Sequence, residues 1–215
     1  MALKYIGAVL ISVFCISSAA EEFGQITNNI NSGDWSSYRV CGSDGICLWR
    51  ASTNSTNRDE SFVLDWPENN YTDIPVAQTI VGNIPFDAMK SWNTDSDIAN
   101  GKFRVDLNPI REFQFSRNLN RGMRTIFYNF PPTTVNESFI QQLKLGNTLR
   151  FRQTINAKNF TTIYSLKGAA QAIKRAQESA KDAYFKQKDG YDPYFDNPYF
   201  NTPQTKQDKY QEVYF

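Results

Sequence analysis

The strongest constraint on what this 215-residue chain can fold into is a period of two in its central part. Phe103 and Val105 alternate with polar residues, with Leu107 on the same face, and Phe113 and Phe115 continue the pattern after a turn at Asn108-Pro109. Ile126, Tyr128 and Phe130 repeat it before Pro131-Pro132, and Leu149, Phe151 and Ile155 repeat it again. Successive side chains of a strand point to opposite faces, so this spacing describes half-buried β-strands rather than amphipathic helices. Shorter apolar runs at Phe62–Trp66 (stopped by Pro67), at Val76–Val81 and at Thr161–Tyr164 read as further strands. The expected fold is mainly β: an antiparallel, sandwich-like domain with one core of ordinary size.

Two segments carry the helical period instead. Thr134–Leu143 predicts a short helix burying Phe139, Ile140 and Leu143. Further on, Ser165 is positioned to cap a helix beginning at Leu166. There Leu166, Ala169, Ala170, Ile173, Ala176 and Ala180 share one stripe, with Gln171, Lys174, Arg175, Glu178 and Lys181 facing away. That is an amphipathic helix laid on the sheet. Residues 87–101 are polar; Asn93, Asp95, Asp97 and Asn100 have part of a calcium-loop spacing, but Ile98 and Arg104 stand where such a loop needs glycine and glutamate. The segment reads as an ordinary surface loop.

Cysteine usage points to an oxidising compartment. Tyr38–Cys41 and Cys47–Trp49 are β-type runs joined by five residues that include Gly42 and Gly45, a hairpin pattern. Such a hairpin brings Cys41 and Cys47 within bridging distance. The ring is small, so its stabilisation is at most about 2–3 kcal/mol. The third cysteine, Cys15, falls in an N-terminal segment built like a secretory signal: Lys4, an apolar run over Tyr5–Ile16, then Ser17-Ser18-Ala19-Ala20. The run is short of the roughly 20 residues that a membrane span needs. Cleavage is expected after Ala20, with no integral span in what remains. Losing Lys4 leaves 22 basic and 22 acidic residues out of the 23 and 22 of the whole chain. A balance near zero favours neither nucleic acid nor an anionic membrane surface as partner. The expected location is periplasmic or secreted.

The reading therefore divides the chain into a signal peptide (1–20), a polar, loose lead-in (21–34), a β-rich domain closed by the helix (35–183) and an aromatic tail (184–215). The tail nearly repeats itself, Asp192-Pro193-Tyr194-Phe195 and then Asn197-Pro198-Tyr199-Phe200, and has almost no aliphatic residues. It cannot build a core, so an extended or disordered arm is expected. Tyr191, Tyr194, Phe195, Tyr199 and Phe200 are its candidate partner-binding anchors. Sequons stand at Asn54, Asn70, Asn136 and Asn159, which matter only in a eukaryotic secretory pathway.

The chain contains no histidine. This excludes Ser-His-acid and Cys-His mechanisms and histidine-ligated zinc. No Ser-x-x-Lys, phosphate-cradling glycine loop or nucleophile elbow occurs. No catalytic, metal or cofactor-binding residue is nominated. The chemistry left open is a pair of carboxylates meeting in space.

Taken in order, these parts resemble the invasion-associated locus B family of exported bacterial proteins. The resemblance runs over roughly residues 33–175. Its carriers are Gly33-Asp34-Trp35 with Cys41 and Cys47, the Gly122 turn within Phe115–Met123, the Ile140–Gly146 helix and turn, and Ser165-Leu166-Lys167-Gly168-Ala169-Ala170-Gln171-Ala172. Asn118 and Met123 stand where the family has a second cysteine pair, and the aromatic tail has no counterpart. The resemblance implies a compact sandwich-like domain in the periplasm or outside the cell, with a link to host-cell invasion or envelope function and no active site to carry over. The expected function is an exported, non-catalytic binding or envelope-accessory protein; the alternative is a carboxylate-based exported hydrolase acting on glycans or peptidoglycan.

Overall fold

The structure is a computed structural model that describes residues 25–83, 96–122, 124–131, 133–155 and 158–188. Among the described residues there are ten strands: β1 (Gln25–Ser32), β2 (Trp35–Cys41), β3 (Cys47–Asn54), β4 (Glu60–Pro67), β5 (Ala77–Asn83), β6 (Ser96–Val105), β7 (Arg111–Asn120), β8 (Thr125–Asn129), β9 (Thr148–Ile155) and β10 (Lys158–Ser165). Helix α1 (Glu137–Leu145) precedes β9, and α2 (Ala169–Lys188) follows β10. The strands form one antiparallel sheet in the order β1-β2-β3-β4-β5-β8-β7-β6-β9-β10. The mainly β, antiparallel class with a C-terminal helix is thus the observed one.

Ten strands with one apolar face cannot stay flat; twist accumulates and the sheet doubles over. Its two halves meet through aromatic rings. Phe62 of β4 packs 5.9 Å from Phe103 of β6 and 5.8 Å from Tyr164 of β10, centroid to centroid. Phe103 also lies 5.3 Å from Phe139 of α1 and 5.3 Å from Phe151 of β9. Of the residues assigned to the core by alternation, Phe103, Val105, Phe115, Ile126, Tyr128, Phe130, Leu149 and Phe151 are buried there, while Phe113 is only half-buried against it.

The sheet's two ends are handled differently. The β10 edge is covered by the β3–β4 loop: Ser55 bridges to Tyr164, and the amide of Thr56 donates to the Ile163 carbonyl at 2.8 Å. The Asn57 side chain donates to the Thr161 carbonyl at 3.0 Å and accepts from the Ile163 amide at 2.9 Å. One carboxamide thus imitates a neighbouring strand. At the other end β1 carries a bulge between Thr27 and Ile30, with Asn28 at φ +55°. A bulge twists an edge and spoils it as a template for further pairing.

Helix α2 lies on the inner face of the first half-sheet with Ala169, Ala172, Ile173, Ala176 and Ala180 fully buried. Four alanines in five contact positions let the helix approach closely. Arg175 pins it, donating from Nη1 to the Ser37 carbonyl (2.7 Å) and from Nη2 to the Asn28 carbonyl (2.7 Å), with its guanidinium over the Trp49 ring. Burial lowers the Arg175 pKa from its ordinary value. The turn into α2 packs backbone to backbone on the β1–β2 turn. The Asp34 amide donates to the Lys167 carbonyl (2.9 Å), Trp35 Nε1 to the Ser165 carbonyl (2.9 Å) and Ser165 Oγ to Asp34 Oδ2 (2.6 Å). Gly168 sits at φ +91°, where a Cβ would come within 1.6 Å of the Ser32 carbonyl oxygen. Only glycine fits a left-handed backbone at that distance.

Several expectations need correction. Residues 25–32 of the lead-in are not loose: they pair with β2 as β1, because a polar edge strand needs no apolar face of its own. Residues 96–101 belong to β6 rather than to a loop, paired with β7 and, from Gly101, with β9. Leu107 lies past the end of β6 and is 87% exposed. Helix α2 starts at Ala169, not Leu166, since the left-handed Gly168 ends the preceding turn; Ala172 rather than Ala170 is buried. The same helix runs to Lys188, so Tyr184 and Phe185 belong to it and not to the tail.

Candidate functional site

The predicted hairpin is present. Cys41 and Cys47 are direct partners in the β2–β3 ladder and are joined by a disulfide. The tail anchors Tyr191, Tyr194, Phe195, Tyr199 and Phe200 lie outside the described residues, as do the signal segment 1–20 and Asn93 and Asp95. Asp97 and Asn100 are strand residues, and the Asp97 carboxylate is held by Arg117, its ladder partner, with Nε donating to Oδ1 at 2.7 Å. All four sequon asparagines are exposed. Where the tail would begin, Tyr184 packs against Tyr71 (6.4 Å) and Phe185 (5.3 Å), a small aromatic patch at the end of α2.

A concavity lies on the face of the first half-sheet that is turned away from the core. It is a groove of about 150 Å³ crossing β1 to β5. The ladder register explains its layout. Tyr38, Arg50 and Asp65 lie side by side across β2, β3 and β4; Ser36, Ser52 and Val63 form the next row; Asn54, Ser61 and Val81 form the third. Ile26, Val40, Val63 and Val81 give an apolar floor, while Asn29, Ser36, Ser52, Asn54, Ser61 and Asn83 supply hydroxyls and carboxamides, and Asp34 and Asp59 stand at the rim.

Many of these polar groups are pre-oriented by one another. Ser61 Oγ donates to Asn54 Oδ1 (2.7 Å), Asn83 Nδ2 to Asp59 Oδ2 (2.8 Å), Ser36 Oγ to Asn31 Oδ1 (2.8 Å) and Thr53 Oγ1 to the Asp34 carbonyl (2.8 Å). Arg50 is the one cation among the described lining residues, and it is committed elsewhere. Its Nε donates to Asp65 Oδ1 at 2.7 Å and its Nη2 to Oδ2 at 2.9 Å, with both side chains less than a tenth exposed. Burial alone would push the Arg50 pKa down, but the facing carboxylate outweighs burial and raises it, so Arg50 is a permanent cation. A fork-to-fork pair of this kind also fixes the β3–β4 register.

Nothing in the reading of Cys47–Trp49 and Phe62–Trp66 as β-type runs singled out Arg50 and Asp65. A usable signal existed: each is the only charge within an apolar stretch, Leu48-Trp49-Arg50-Ala51 and Phe62-Val63-Leu64-Asp65-Trp66, and the signs are opposite. Unpaired charges do not sit in such runs.

A second polar cluster lies inside the doubled sheet. Thr162 Oγ1 donates to Glu60 Oε2 (2.6 Å) and Arg58 Nε to Glu60 Oε1 (3.0 Å). Tyr128, Tyr164 and Gln153 are buried close by. Burial and then the Glu60 charge push the Tyr128 hydroxyl up to about 12 and that of Tyr164 well above its ordinary value. The buried Glu60 carboxylate is held by Arg58 and Thr162, and the partly exposed Asp97 carboxylate by Arg117, a structural use of charge.

Among the described residues, no group of three or more acidic or cysteine side chains could hold a metal, and no helix is long and apolar enough to cross a membrane. Comparison with family models, with curated proteins and with solved structures finds no match.

Proposed function

We propose that this chain is an exported, non-catalytic binding or envelope-accessory protein, and that it binds through the groove on the outer face of β1–β5. The groove is the observation that carries the reading: a concave surface with an apolar floor and a ring of mutually positioned hydroxyl, carboxamide and carboxylate groups is built for recognition. Its one described cation is neutralised by Asp65, so the site offers hydrogen bonds rather than a reactive charge. The Cys41–Cys47 disulfide supports an oxidising location, periplasmic or extracellular. The link to host-cell invasion rests on the resemblance to the invasion-associated locus B family. The aromatic tail, with Tyr191, Tyr194, Phe195, Tyr199 and Phe200, is assigned a supporting contact with the same partner.

The test joins location to binding. The chain is expressed with its own leader, its intact mass is measured with and without reductant, and envelope fractions are captured on wild type, on Ser52→Trp and on a chain ended after Lys188. The expected protein lies outside the cytosol, lacks residues 1–20, gains two mass units on reduction and loses its captured component in Ser52→Trp. Full-length protein in the cytosol with free thiols, or capture indifferent to both variants, would overturn the proposal.

A further inference from the structure

The groove's dimensions and lining together select a ligand class, on the premise that this face is the binding surface. An engineered protein cavity of about 150 Å³ accommodates one six-membered ring, and the groove has about 150 Å³. Its enclosed part is therefore of the size of a single ring. Its lining is amphipathic in a particular sense. The floor is aliphatic, from Val40, Val63 and Val81, with the Tyr38 ring beside it. The rim is a belt of short neutral acceptors and donors, notably Ser52, Asn54 and Asn83.

A hexopyranose has the complementary distribution, with apolar C–H faces and an equatorial belt of hydroxyls. Charge complementarity narrows it further. Arg50 is spent on Asp65 and the rim acids are Asp34 and Asp59, so phosphorylated, sulfated and carboxylated sugars meet no available cation among the described lining residues and face two carboxylates. We infer that the outer groove is a lectin-type subsite for one neutral hexopyranose unit, either free or terminating a glycan. Tyr38 and the valine floor take the ring face, and Asn54, Asn83 and Ser52 take its hydroxyls.

The test uses the full mature chain. Binding of neutral methyl hexopyranosides is followed by NMR chemical-shift perturbation or calorimetry, and an array of neutral and anionic glycans is probed in parallel. The expected result is at least one neutral hexoside with a dissociation constant on the order of 1 mM, and array binding restricted to neutral hexose termini. Ser52→Trp fills the ring space and should abolish binding. Asn54→Ala/Asn83→Ala, two exposed rim changes that leave the core untouched, should weaken it about tenfold, and thermal melts establish that both variants fold. Three results would overturn the inference: no neutral hexoside or glycan binding, preference for anionic glycans, or binding unchanged in folded variants. If wild type binds no sugar but still captures an envelope protein that Ser52→Trp loses, the binding face stands and the sugar assignment falls.

Discussion

Asp65→Asn probes the pair beneath the groove with almost no change of shape. Arg50 and Asp65 are opposite one another in the β3–β4 ladder, make two hydrogen bonds of 2.7 and 2.9 Å, and keep side-chain exposures of only 9% and 7%. The substitution retains an acceptor but deletes the charge, stranding a guanidinium that cannot shed its proton. Breaking a buried ion pair from one side costs about 3–5 kcal/mol. In a chain of this size that lowers Tm by about 6–20 °C. Arg50→Met strands the carboxylate instead and should cost a similar amount. Replacing both, Arg50→Met/Asp65→Leu, removes the desolvation cost along with the attraction and should come within about 1–2 kcal/mol of wild type. Urea unfolding followed by fluorescence of the buried Trp35, Trp49 and Trp66 reads these variants, and with Asp65→Leu as the second single it reads all four corners of the cycle. If Asp65→Asn costs under about 1 kcal/mol, or the double variant loses the sum of the singles, the pair is not the buried, coupled unit described.

Three other outcomes follow from the same geometry. Gly168→Ala should cost about 3 kcal/mol or more, because it combines a left-handed backbone with a carbonyl in the way, whereas Gly45→Ala, also at positive φ but with nothing within 4 Å, should cost about 1 kcal/mol; denaturant midpoints separate the two. Stability should fall between pH 10 and 12: an unfolded Tyr128 ionises near 10 but the folded one only near 12, so the native state binds more protons in that window and is lost as pH rises through it. Tyr128→Phe should flatten that part of the profile. Reducing Cys41–Cys47 should cost no more than about 2–3 kcal/mol, because the closed ring is short; a larger loss in urea unfolding with reductant would mean that the bridge organises more than its hairpin.

The β class, the Cys41–Cys47 hairpin, both helices and most of the core were legible in the chain, because they rest on local periodicity. Phe103, Phe115, Tyr128 and Phe151 show their inward side by spacing alone, and Phe139, Ile140 and Leu143 by helical spacing. Amphipathic pattern reports which face of an element is buried without reference to its partners. What pattern does not encode is pairing. β1 has no apolar stripe, so only its ladder with β2 reveals it as a strand. The motifs at Gly33-Asp34-Trp35 and Ser165–Gly168 look independent along the chain but form one junction in space, with Gly168 pressed against the Ser32 carbonyl. The groove is of the same kind. Tyr38, Ser52, Ser61 and Val81 come from four strands, and each is unremarkable where it stands in the sequence. Strand order and register, set by how a ten-stranded sheet must fold over to bury its rings, brought them together on one surface.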